Sequence, residues 1–151
     1  MKGFYQVTQA IKDQLLADEN VNTVSLGNLS QVDLSKQTMF PLSHMIVNNI
    51  SNEDNILRFS FSILAMDIVN YSKEETVDLF IGNNNWQDVI NTQLAVLNKL
   101  IQVLRCGELH RDLYQIEGNA NYEVFYERFD NNMAGLAVNF DVLVPNDISI
   151  C

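Results

Sequence analysis

The sequence is poor in the residues that usually announce chemistry. Only two of its 151 residues are cysteine, Cys106 and Cys151, far apart and one of them last. That is too few for a disulfide framework or a four-ligand metal site, and it points to a reducing compartment such as the cytosol. Six glycines occur, and none falls in a GxGxxG or GxxxxGK pattern, so nucleotide binding is disfavoured. The two histidines, His44 and His110, stand at no metal-ligand spacing from another histidine or cysteine. As general bases each would need a partner, and a structural or surface role is expected for both.

Positive charge is scarce as well. Nine basic residues against 19 acidic ones leave a net charge of -10, which repels a phosphate backbone rather than releasing its counterions. A groove that grips nucleic acid is therefore not expected, although an acidic channel through which DNA slides without sticking would suit that charge. No run of 18 apolar residues exists, so no membrane-spanning helix is expected. The first sixteen residues carry polar side chains every few positions and lack the apolar centre of a signal peptide. A hydrophobic content of 47% with 19% charged residues describes a chain that folds, and 151 residues suit a single domain spanning 1–151.

What the chain does have is a strand of unusual length. Residues 56–69, ILRFSFSILAMDIV, hold no glycine or proline, with Leu57, Phe59, Phe61, Ile63 and Ala65 on one face and Arg58, Ser60 and Ser62 on the other. This is the period of two of a half-buried strand. Beyond Ser62 the second face turns apolar through Leu64, Met66 and Ile68, so the first half is one-sided and wet and the second half buried on both faces. At ~3.3 Å per residue the run reaches about 45 Å, and the surplus over Ala65 to Val69 needs partners elsewhere in the sheet or in another subunit.

The rest of the chain is ordered around that strand. Phe4, Val7, Ile11 and Leu15 predict an amphipathic helix over 3–18, followed by a short strand over 21–26 that Gly27 ends. A polar connection covers 27–38, and Pro41 opens a strand over 42–50 that forms a hairpin with the long one across the turn 51–55. Residues 70–85 read as a surface segment, with Asn84 or Asn85 able to cap a helix over 86–104. That helix carries two apolar stripes, one of Trp86, Ile90, Leu94, Leu97, Ile101 and Leu104, the other of Val89, Val96, Leu100 and Val103. The second stripe either closes the core or meets a neighbour, and Gly107 stops the helix. Strands over 113–117 and 122–127, joined by a turn at 118–121, precede a last strand over 136–144 that Pro145 ends. Helix, hairpin, long helix, hairpin is an α+β order: a mainly antiparallel sheet with a long hairpin, packed against an N-terminal helix and a long central helix.

No residue set points to a reaction. Ser60 and Ser62 have no nucleophile elbow around them and read as solvated strand face. Asp67 is a lone carboxylate in an apolar stretch; it reads as an acid bonded to a backbone group or a neighbouring subunit rather than a proton-transfer group. Glu74, Glu75 and Asp78, and the pair Glu123 and Glu127, lack calcium-loop spacing. Tyr114, Tyr122, Phe125, Tyr126 and Phe129 suggest a stacking platform, but with only Arg128 among them core or interface packing explains them better. Catalytic, cofactor-binding and metal-ligating residues are not expected, and no cofactor is implied.

Taken end to end, the N-terminal helix, the stretch VNTVSLGNLSQVDLSKQTMFPLSHMIV with Gly27, Asp33 and Phe40-Pro41-Leu42, the FSFSILAMDIV strand, the helix after NNNW and the closing NNMAGLAVNFDVLVPNDISIC form a recognisable succession. In pattern and order it resembles the tail terminator, or tail completion, proteins of long-tailed bacteriophages. The resemblance implies a non-enzymatic virion protein, assembled in the host cytoplasm, forming a ring that is usually a hexamer. Such a ring caps the head-proximal end of the tail tube, stops tube polymerisation and joins the tail to neck or head-completion proteins. DNA passes through its channel without sequence-specific binding, and no membrane is involved. Under the resemblance, Asp33, Phe40, His44, Arg58, Ser60, Ser62 and Asp67 are the candidates for contacts with a neighbouring subunit or the tube. The alternatives are a head completion or adaptor protein of the neck, an acidic oligomeric chaperone-like binding module, and, least favoured, an enzyme.

Overall fold

Two helices form where apolar residues recur at helical spacing. The computed structural model describes residues 3–28, 39–69, 80, 85–128 and 133–146, apart from the side chains of 126–128. Helix α1, Phe4–Leu16, buries Val7, Thr8, Ile11 and Leu15. Its first turn is closed by the Gly3 amide donating to Gln6 Oε1 at 3.2 Å. Helix α2, Trp86–Cys106, buries Val89, Gln93, Val96, Leu97, Leu100, Ile101 and Leu104. These residues straddle the two predicted stripes, so the stripes are flanks of one buried face and both close the core of the chain itself. Gly107 ends α2 in extended backbone, and its amide bonds the Val103 carbonyl at 3.0 Å. A Cβ at that position would lie 2.8 Å from Val103 Cα.

The strands are β1 (Thr23–Leu26), β2 (Leu42–Glu53), β3 (Ile56–Ile68), β4 (Gln115–Arg128) and β5 (Met133–Pro145), with a one-turn helix α3 (Glu108–Arg111) ahead of β4. They form one sheet in the order β1-β2-β3-β5-β4, parallel between β1 and β2 and antiparallel elsewhere. The protein is thus α+β, with both helices on one face of the sheet. That face brings Phe59, Phe61, Ile63 and Ala65 of β3 and the alternate residues Leu136 to Val144 of β5 against Val7, Ile11 and Leu15 of α1 and Val96 to Leu104 of α2. The opposite face has a smaller cluster at one end only: Leu42, Met66, Phe125 and Met133, with Met39, Phe40, Leu64 and Ile68 packed against it. The predicted change of character along β3 after Ser62 is where this cluster begins.

Several elements differ from the sequence expectation. The surplus of the long strand needs no second subunit, because β5 pairs with β3 from Ile56↔Pro145 through Ile68↔Met133. The turn of the first hairpin is two residues, Asp54–Asn55, rather than five, and Asp54 takes the left-handed conformation (φ 49°) that aspartate tolerates. Residues 118–121 are not a turn between two strands but a bulge within β4. The register steps from Glu117↔Asp141 to Asn121↔Asn139, and Gly118 absorbs the bend at φ 71°. Leu113 also sits at positive φ (69°), which delays β4 to Gln115. Asn85 is the first cap of α2, yet its side chain makes no capping bond; at φ -99°, ψ 22° it is outside the extended region that aims a cap. Of the expected connections, residues 29–38, 70–79, 81–84 with the cap candidate Asn84, and 130–132 lie outside the described residues.

Candidate functional site

The helix-free sheet face carries most of the predicted interface residues, and their surroundings follow from strand register. Arg58 of β3 stands in the wet half, next to β5, with β4 one strand further on. Its guanidinium forks onto Glu53 of β2 through Nε at 2.9 Å and Nη2 at 3.0 Å, while Nη1 reaches Asp141 of β5 at 3.1 Å and also Glu117 of β4. One cation thus ties four strands together. Hydrogen bonding to Glu53 and then Asp141 raises the Arg58 pKa above its ordinary value, and Arg58 in turn holds the Glu53 carboxyl below the usual range. Three carboxylates against one guanidinium leave this cluster at a formal charge of -2.

Beside it runs an uncharged polar ladder. Asn48, the extra residue of a bulge in β2 between Val47 and Asn49, donates from Nδ2 to Ser62 Oγ at 2.7 Å. Ser62 in turn donates to Asn139 Oδ1 on β5. Ser60 lies between Asn49 and Asp141 on the same face, half-buried. The wet half of the face is therefore a continuous band of amide, hydroxyl and carboxylate groups.

His44 lies on this sheet face too, but inside the chain. It is fully buried opposite Leu64 of β3 and Ser25 of β1. Its Nε2 is 2.8 Å from the Gly27 carbonyl oxygen, which can only accept, so Nε2 carries the hydrogen. Nδ1 then accepts from Ser25 Oγ, 2.6 Å away. Burial pushes the His44 pKa down, partly opposed by the bond to Gly27. A serine bonded to an oriented imidazole invites comparison with a hydrolase dyad. The cleft beside β1 is lined by Tyr5, Thr8, Gln9, Lys12, Val24, Ser25, Leu26 and Met45; by register Val24, Leu26 and Met45 belong to the sheet face opposite the His44 ring, so among the described residues the imidazole itself does not line that cleft.

Asp67 is on the helix-covered face, half-buried, and its Oδ1 accepts from the Ile68 amide at 2.8 Å. Burial raises its pKa, and that hydrogen bond only partly opposes the rise. This is the backbone-bonded carboxylate that the sequence suggested. Phe40 packs half-buried on the Leu42 and Met66 cluster behind a cis peptide to Pro41. Asp33 lies outside the described residues, as do Glu74, Glu75 and Asp78. The register thus brings Arg58, Ser60 and Ser62 together and sets His44 and Asp67 apart from them. Tyr114 and Phe125 are buried in different clusters on the two faces and make no shared platform.

No family model matches the chain, and no curated protein matches it in sequence. Among the described residues no group of three or more histidine, cysteine, aspartate or glutamate side chains could hold a metal ion. No described helix is long and apolar enough to cross a membrane. The sequence reading missed the carboxylates that close around Arg58, and it missed Gln93. Glu53, Glu117 and Asp141 come from three separate strands, and β3 itself offered only a lone arginine on its polar face as a hint that partners were needed. Gln93 sits on the buried face of α2, and among the described residues neither its amide nitrogen nor its oxygen finds a hydrogen-bond partner. Its signal was positional, since it falls between Val89 and Val96 on a face that is otherwise apolar.

Proposed function

We propose that the protein is a structural subunit of a long-tailed bacteriophage virion, forming a ring at the head-proximal end of the tail tube that ends tube growth and joins tail to neck. The observation that carries this reading is the division between the two sheet faces. Both helices serve one face, and the wet half of the other is a polar, net-acidic band built on Arg58, Glu53, Glu117 and Asp141. A band of that charge repels phosphate and suits a surface past which DNA moves without being held. The whole chain, at -10, carries the same sign. The resemblance in sequence pattern to tail terminator proteins is the reason for proposing a placement on the tube.

In a closed ring each subunit presents two different patches to its neighbours. The polar band is assigned to the lumen, and the hairpin of β2 and β3 with the segment 27–38 to contacts between subunits or with the tube. The deciding experiment is the mass of the purified protein in solution, with and without tail tube protein. A hexamer alone, or one that appears on adding tube and halts its growth, supports the reading. A stable monomer that leaves tube growth unchanged overturns it.

A further inference from the structure

The edge strand β1 is attached to the sheet in a way that depends on one imidazole. Backbone pairing with β2 covers only four positions, Thr23↔Leu42 to Leu26↔Met45. The backbone bonds at its two ends run from the Thr23 amide to the Pro41 carbonyl at 3.2 Å and from the Gly27 amide to the Met45 carbonyl at 3.0 Å. His44 adds two side-chain bonds to the same strand end, to Ser25 Oγ and to the Gly27 carbonyl. Both ring nitrogens are therefore spent on holding β1 and the residue that terminates it.

Among the described residues, the surroundings of the ring suit its neutral form. On the same sheet face its neighbours are Leu42 and Ile46 along β2, Leu64 opposite with Ser62 and Met66 diagonal on β3, and Thr23 and Ser25 on β1. None of these is charged. The charged residues of α1, Lys12 and Asp13, are exposed on a helix that packs on the other sheet face, and Arg58 with its carboxylates lies three alternate positions along β3 from Leu64. A second proton on the ring could still be shared with the Ser25 oxygen. The resulting cation would be fully buried with two neutral partners and no described carboxylate, an arrangement that disfavours the charged ring unless the site opens.

We propose that His44 is an acid-sensitive latch: neutral, it holds β1 on the sheet, and its protonation releases β1 and frees the outer edge of β2. The released element is a short edge strand, so the opening is local and leaves β3 paired with β5. The freed β2 edge then presents unpaired N–H and C=O groups over Leu42 to Met45, the kind of edge that accepts another strand. The sign of the effect follows from linkage. The ring binds its proton less readily in the docked state than in the opened one, so docking is fully favoured above the ordinary histidine range and is lost as the pH falls below it.

Amide hydrogen exchange between pH 7.5 and 4.5, corrected for intrinsic rates, tests the latch on the intact chain. Protection at Thr23 and Gly27 is expected to fall about tenfold per pH unit once His44 titrates, the slope of one linked proton, while Phe61 and Val138 keep theirs. His44→Gln, which retains a neutral donor toward the Gly27 carbonyl, is expected to abolish that slope. Unchanged protection of Thr23 and Gly27 at pH 4.5 overturns the proposal, as does an equal slope in the variant. Should the variant fail to fold, the wild-type His44 ring resonance decides: a titration coincident with the loss at Gly27 supports the latch, and a ring that titrates while β1 stays protected refutes it.

Discussion

Gly135 of β5 stands directly opposite Met66 of β3, and the two strands approach so closely there that a Cβ on Gly135 would overlap the Ala65 carbonyl oxygen and lie 2.8 Å from Met66 Cα. The obstacle is backbone on the central strand of the sheet, which cannot swing aside as a side chain can. Gly135→Ala is expected to destabilise the protein by about 2–4 kcal/mol, in the range of overpacked cores and above. Urea unfolding with an unchanged m-value and a lowered midpoint checks this; a midpoint within error of wild type would show that β3 and β5 are less tightly apposed.

Arg58 is predicted to set the size of the acid response. In the wild type Glu53 has its pKa lowered, chiefly by its hydrogen bonds from Arg58. Its contribution is present above the unfolded carboxylate value and lost as the pH falls through the folded one. In Arg58→Gln the three carboxylates face one another without a cation, so protonating one relieves repulsion. Between about pH 5 and pH 3.5, the variant is expected to lose less Tm than the wild type, and added salt is expected to narrow their difference at pH 7. Parallel Tm curves for the two proteins would remove Arg58 from its place at the centre of the cluster.

Gln93 invites replacement. Both polar atoms of its buried amide lack a partner among the described residues, and such a group costs about 1–3 kcal/mol relative to a satisfied one. Gln93→Met, similar in length and fully apolar, is expected to stabilise the protein by about 1 kcal/mol. Thermal unfolding of the two proteins decides, and a loss of stability in the variant would mean that the amide has a partner it needs.

The two flanks of α2 are expected to differ sharply. Leu97 is 0% exposed against the sheet, whereas Leu94, from the same predicted stripe, is 40% exposed. Leu97→Ala should cost about 2–5 kcal/mol and Leu94→Ala no more than about 0.5 kcal/mol. If Leu94→Ala instead leaves the isolated protein's stability alone but weakens its self-association, that flank belongs to an interface between copies.

The elements the sequence made legible are those whose signal is local. Phe4 to Leu15 and Val89 to Leu104 carry a helical period, and Leu57 to Ala65 and Leu136 to Val144 a strand period, each imposed by one water-facing and one core-facing side. The wet and dry halves of β3 were legible for the same reason. The bulge at Gly118 was not, because a glycine followed by polar residues has the same composition in a turn as in a bulge. The two stripes on α2 looked like two partners because a helical wheel does not say how wide a surface its sheet covers.

What the sequence alone determined, then, is the α+β class, the two helices, the long hairpin and the acidic balance, since these depend on period, turn chemistry and charge count along a few adjacent residues. Only the tertiary structure decided that β5 takes up the full length of β3, that β1 lies parallel to β2, and that Glu53, Glu117 and Asp141 converge on Arg58. It also decided that His44 is sealed between Ser25 and Gly27 rather than displayed. These pairings join residues as far apart in sequence as Ile56 and Pro145, and they are selected by the burial of the whole sheet against α1 and α2, a term to which no short window of sequence has access.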